Sequence, residues 1–137
     1  MKIIVDANII FSALIKESTT RELILKYDGQ FLIPNYVFIE INKYKEEILR
    51  KSNMTTKDFN DLFSLIIERI NVVPSEVFKM HVKEAQNLVG EHSPEDIVYI
   101  SCALAFSDCI LWSNDKKLKW QNKVKVFNTK EMIVILN

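Results

Sequence analysis

Residues 2–10, KIIVDANII, decide how this chain reads. Ile3, Ile4 and Val5 form a short unbroken β-branched run, the pattern of a strand buried on both faces. Asp6 follows at once, with Asn8 two residues on. An ionised carboxylate that leaves water needs an ion partner, a set of hydrogen bonds or a metal. One explanation is that Asp6 or Asn8 caps the next helix, since both side chains accept from the free amides at a helix start. The other is that the carboxyl end of a central parallel strand is where open α/β sheets hold their ligands. That second explanation requires further polar groups to arrive from elsewhere in the chain.

Working outward, residues 7–15 are apolar enough for a buried helical turn or two. Thr19 with Glu22 three residues later predicts a capping-box start for a helix ending near Tyr27, where Asp28-Gly29 stops it. A strand at 31–33 is broken by Pro34-Asn35, and a helix over 36–51 buries Val37, Ile41, Tyr44 and Ile48. Glu40 falls on the edge of that buried stripe, whereas Glu46 and Glu47 read as solvated surface. A second amphipathic helix is predicted over 55–70, with Phe59, Leu62, Phe63, Ile66 and Ile67 inward. A strand at 72–73 and a helix over 76–89, stopped by Gly90, complete a middle region that reads as scaffold.

Ser93-Pro94-Glu95-Asp96 then offers a cap, a first-turn proline and two acids ahead of a helix over 97–107. The strand 110–112 closes on Ser113-Asn114-Asp115, followed by a short helical turn at 116–120, a strand at 124–127 and a helix over 129–136. The alternation of strands and helices predicts an α/β fold, a mostly parallel central sheet of about four or five strands with helices on both faces.

Bulk properties bound this reading. The 137 residues suit a single domain spanning 1–137, and 48% hydrophobic with 26% charged residues fits a globular rather than a disordered chain. Eighteen basic residues balance eighteen acidic ones, so no global field draws in nucleic acid or an anionic membrane, and any such contact must come from a local patch or from metal ions at an acidic site. Cys102 and Cys109 form no zinc-ligand pattern and read as small core residues of a reducing compartment. With no leader pattern and no apolar run of spanning length, a cytoplasmic location and no membrane partner are expected.

Four acids now stand at particular places: Asp6 after the first strand, Glu40 on a buried helix edge, Asp96 at a helix start and Asp115 after a later strand. Each also has a plainer explanation, with Asp96 boxed to Ser93, Asp115 capping the next turn and Glu40 paired to a lysine. Asp108 lies at the opposite end of the strand from Asp115 and reads as a turn residue. Glu95, next to Asp96, can share its role.

The segments IIVDANII, LIPNYVFIEI and SPEDIVYISCALAFSDCILWSNDKKL together resemble a PIN-domain nuclease across nearly the whole length of the chain. The resemblance implies an acidic site of Asp6, Glu40, Asp96 and Asp115, all four catalytic and metal-holding, with Asn8 and Ser113 as supporting polar groups. Many relatives carry Thr where Ser113 stands, and both present a hydroxyl. It also implies hydrolysis of phosphodiester bonds, an RNA substrate, single-stranded or structured, and a homodimer. Small members are often toxins of toxin–antitoxin pairs held by an antitoxin protein, while others process RNA.

Converging carboxylates repel and hold protons unless cations offset them. Mg2+ or Mn2+, hard ions that favour carboxylate oxygen, are therefore the expected cofactors. Lys116, Lys117 and Lys119, just after Asp115, are candidates for phosphate contact, with Arg50, Lys51 and Lys57 as a second basic group. Trp120 is a candidate for stacking on unpaired bases, whereas Trp112 reads mainly as core. The alternative from another class is a non-catalytic or regulatory magnesium-binding module, receiver-like or a degenerate PIN domain. A receiver pairs two acids early, and this chain has Asp6 alone there. With only Gly29 and Gly90, no glycine-rich phosphate loop is present.

Overall fold

The computed structural model describes residues 1–16 and 18–136. The first strand, β1 (Lys2–Val5), runs directly into α1 (Ala7–Ile15), and α2 (Thr19–Lys26) leads to β2 (Gln30–Pro34). Two helices, α3 (Val37–Ser52) and α4 (Thr56–Glu68), precede β3 (Ile70–Val73). The short α5 (Ser75–Phe78) and α6 (Val82–Val89) lead to α7 (Ile97–Leu104), and β4 (Cys109–Trp112), β5 (Val126–Phe127) and α8 (Thr129–Leu136) finish the chain.

All four strand pairings are parallel, in the order β3-β2-β1-β4-β5. The β-branched run of β1 therefore sits at the centre: Ile4 is in register with Leu32 on one side and Leu111 on the other. Ile4 and Val5 are fully buried, as the sequence pattern predicts for a strand covered on both faces. Each such side chain contributes roughly 1.5–3 kcal/mol by burial. Connections leave β1 toward β2 on one side and reach β4 on the other, so the switch point of the sheet lies between β1 and β4. Val5 pairs with Trp112, which makes Asp6 and Ser113 emerge side by side from the carboxyl edge.

Several local expectations are corrected. The cap of α2 is Ser18 rather than Thr19, because Ser18 is extended (φ −156°) and its hydroxyl accepts the Arg21 amide at 3.3 Å. Arg21 also donates to the Ala13 carbonyl at 2.6 Å, tying the start of α2 to the end of α1. The helix expected over 76–89 is interrupted by a 3-10 turn at Lys79–His81. Tyr44 is 37% exposed instead of buried, while α3 ends at Asn53, which adopts a left-handed conformation (φ 58°) and returns its amide to Leu49. Trp112 is core: it is fully buried, and its indole N–H donates to Thr129 Oγ1 at 3.1 Å.

Candidate active site

Asp6 is only 2% exposed and occupies the cap position of α1; the Asn8 and Ala7 amides lie close to its carboxylate but make no capping hydrogen bond of normal geometry. The carboxylate accepts instead from the Ser113 hydroxyl, Oγ to Oδ2 at 2.6 Å. The same Ser113 oxygen accepts the Asp115 amide at 3.1 Å. One buried hydroxyl thus holds an acid from β1 and the loop after β4 in fixed relation, which the adjacent ends of the two strands make possible. Asp115 also caps the 3-10 turn Lys116–Trp120 by accepting the Lys117 amide at 3.0 Å.

Asp96 is buried at 4% exposure and also stands at a helix cap without capping: neither it nor Ser93 makes the expected box. Among the described residues its Oδ2, shut away from solvent, has no hydrogen-bond partner. One carboxylate oxygen from each of Glu95, Asp96 and Asp115 lies within 4.8 Å of the other two. Glu40, half-buried on α3, accepts the Tyr99 hydroxyl at 2.5 Å rather than pairing with a lysine. Asp6, Asn8, Glu40, Glu95, Asp96 and Tyr99 line one cleft of about 570 Å³. Asp115 borders a neighbouring cleft with Lys116, Lys119 and Lys130.

The acids perturb one another. Burial raises the Asp6 carboxyl above its ordinary value; the Ser113 hydroxyl and the Asn8 and Ala7 amides offset part of this, and the Asp115 charge adds to it. Glu40 is raised by burial and then by Asp6, against the lowering effect of the Tyr99 hydroxyl. Asp96 is pushed up to about 8, first by burial, then by Asp6, Asp115 and Glu95. Groups placed so that each hinders its neighbours' ionisation serve a structure poorly by themselves. An all-oxygen donor set with a buried unpartnered carboxylate oxygen fits a hard divalent cation.

Tyr99 escaped the sequence reading. The available signal was its position three residues after Asp96, which puts a phenol on the same helical face. Tyr99 is 1% exposed, and burial together with Glu40 pushes its own hydroxyl upward, so it remains a donor. Tyr99→Phe is expected to cost about 1.5 kcal/mol in urea unfolding, the scale of a lost hydrogen bond to a charged group. An unchanged midpoint would show that water replaces the phenol. Ser113→Ala leaves the buried Asp6 carboxylate without its hydroxyl and is expected to cost about 2 kcal/mol, with Ser113→Thr recovering most of it; thermal unfolding of the two variants is the check.

Glu47, read as solvated surface, is exposed but borders the cleft and pairs with Lys51 at 2.9 Å. The phosphate-contact candidates Lys116, Lys117 and Lys119 follow Asp115 on the 3-10 turn, where Lys119 also pairs with Glu131. Asp108 takes the Lys2 amide on its carbonyl at the far end of β4, away from the acids.

Fold and acids together define a class: parallel α/β proteins with carboxylates gathered at the switch point of the sheet. The family model of the PIN domain matches residues 4–135, and the chain belongs to that family. Among solved structures it is similar to VapBC2 from Rickettsia felis, crystallised bound to a DNA fragment from their promoter, with 18% identity, a TM-score of 0.70, and coverage of 93% of this chain and 98% of that one. It is also similar to PAE2754 from Pyrobaculum aerophilum, with 16% identity, a TM-score of 0.66, and coverage of 99% and 89%. At these identities the likeness concerns the fold. No curated protein matches the sequence. Among the described residues no helix is long and apolar enough to cross a membrane.

Proposed function

We propose that this chain is a metal-dependent ribonuclease that hydrolyses phosphodiester bonds of single-stranded RNA at the acidic cleft. The observation that carries the reading is Asp96: a buried carboxylate with an unpartnered oxygen, grouped with Asp115 and Glu95 and beset by the Asp6 charge. Membership of the PIN-domain family, whose members are generally nucleases, supports it. Asp96 and Asp6 would hold Mg2+ or Mn2+, with Glu40 and Asp115 assisting and Glu95 within reach. A divalent ion there supplies charge to offset the acids, attraction for a phosphate and activation of water.

The remaining work falls to the chain itself. Ser113 fixes the orientation of Asp6, Tyr99 that of Glu40, and Asn8 lines the entrance. Lys116 and Lys117 on the turn after Asp115 would meet phosphates without regard to sequence. Calorimetric titration of Mn2+, with cleavage of single-stranded RNA and DNA on the same samples, tests the reading. Binding and RNA cleavage are expected together; absence of metal binding would return the acids to a structural role. Metal binding without cleavage of either nucleic acid would favour the regulatory alternative.

The VapBC2 likeness supports a further part of the proposal, that the chain is the toxin of a toxin–antitoxin pair with an antitoxin partner. Growth arrest on expression, absent in an Asp96→Asn variant, is the expected sign. Self-association belongs to the same reading: Ile39 and Leu65 stand 62% and 52% exposed on α3 and α4. A monomeric sedimentation coefficient would remove that part alone.

A further inference from the structure

Trp120 ends the 3-10 turn that begins beside Asp115, and it is 69% exposed. An indole left in water forgoes most of the free energy its burial would yield. This one is also held in place: its ring lies against the His92 imidazole, with centroids 5.1 Å apart and planes inclined at 43°. Among the described residues the His92 Nε2, shut away from solvent, has no hydrogen-bond partner. His92 lies just before the segment that carries Glu95 and Asp96, while the Trp120 turn follows directly from Asp115. The aromatic pair therefore bridges the two segments that supply the acidic cluster.

The turn is also basic. In a 3-10 helix residues three apart eclipse one another, so Lys117 shares the face of Trp120, and Lys116 shares that of Lys119. Lys116, Lys119 and Lys130 line the cleft beyond Asp115. An exposed aromatic face among lysines is the arrangement that single strands recognise, base on ring and phosphate on ammonium. A base inside a duplex has no free face to offer.

We infer that Trp120, braced by His92, is a stacking platform for an unpaired base of a single-stranded nucleic acid lying across the acidic cleft. This rests on the nuclease reading for its ligand class and adds the subsite that selects unpaired substrate. Lys117 meets a phosphate of the same strand.

The chain contains two tryptophans, of which Trp112 is fully buried and Trp120 alone is exposed. The longer-wavelength, solvent-exposed part of the emission consequently reports on Trp120, over a background from buried Trp112. Titrating the full chain with a single-stranded RNA of about eight nucleotides in EDTA, and with a duplex of the same sequence, is expected to quench emission with the single strand only. Trp120→Ala is expected to weaken single-strand binding, measured by anisotropy of a labelled strand, between about fivefold and a hundredfold, the range of one base–aromatic stack. Trp120→Phe should recover most of it, and the two variants should melt within a few degrees of each other, which separates stacking from a folding defect. Equal binding by Trp120→Ala, binding without quenching, equal binding of the duplex, or no binding of single strands would each overturn the proposal. Cleavage of the same strand by wild type with Mn2+ is scored separately, so the platform can fail while the nuclease reading stands.

Discussion

Asparagine in place of Asp96 is expected to abolish Mn2+ binding by calorimetry and to lower RNA cleavage by at least about a hundredfold. Removing groups that only orient metal ligands costs 10–100-fold, and Asp96 is placed to be a ligand itself. The substitution is nearly isosteric, and burial together with the neighbouring acids already favours the protonated Asp96 carboxyl in the folded metal-free chain, pushed up to about 8. The neutral amide imitates the protonated side chain of the folded apo protein without the cost of keeping that proton, so the metal-free variant should match wild type only below about pH 4 and should melt higher at pH 7. The difference should widen up to about pH 8 and stay constant above it, where wild type carries an ionised buried carboxylate among like charges. A variant that retains Mn2+ affinity within about tenfold of wild type would remove Asp96 from the ligand set. A large loss of apo stability would make it a structural group instead.

Metal-free wild type is expected to lose stability as pH rises, the reverse of ordinary acid denaturation. Asp6, Glu40 and Asp96 all have folded values raised above 3.8, 4.5 and 3.8 respectively. Between those values and about 8 the folded state holds more protons than the unfolded state, so the slope of unfolding free energy with pH is negative. Stability contributed by these groups is complete below about pH 4 and declines up to about pH 8. Shared among coupled groups, the loss should amount to roughly 2–3 kcal/mol. The ion-paired surface glutamates Glu22, Glu47 and Glu131 have lowered values and act in the opposite sense at the acid end. Saturating Mn2+ should flatten or invert the slope, because the metal selects ionised carboxylates and binds only the folded chain. Melting curves from pH 4.5 to 8.5 with EDTA or Mn2+ measure this. A stability that rises with pH in EDTA would mean that the acids are compensated within the protein.

The main outline was legible because it rests on local chemistry. A β-branched triplet before Asp6 announced a doubly buried strand, and the strand–helix alternation announced the parallel sheet. The four acids were singled out because each sat where a solvated residue would not be expected. Errors fell where neighbouring residues compete for one local role. Ser18 and Thr19 can both cap, and Arg21, which reaches back to α1, accompanies the choice of Ser18. Tyr44 belongs to the apolar stripe of α3 by periodicity, yet it faces the cleft against the Phe11 ring.

From the sequence alone came the element order, the buried strand and the acids that need an explanation, since spacing and polarity act along the chain. Tertiary structure alone decided which explanation each acid receives. Asp6 and Ser113 are 107 residues apart, and Glu40 and Tyr99 are 59 apart; their hydrogen bonds exist only because β1 and β4 pair side by side and α7 brings its phenol to α3. Sequence spacing carries no record of such distances. Whether a carboxylate ends as a helix cap, as with Asp115, or buried with an unpartnered oxygen, as with Asp96, depends on which chain segments exclude water from it.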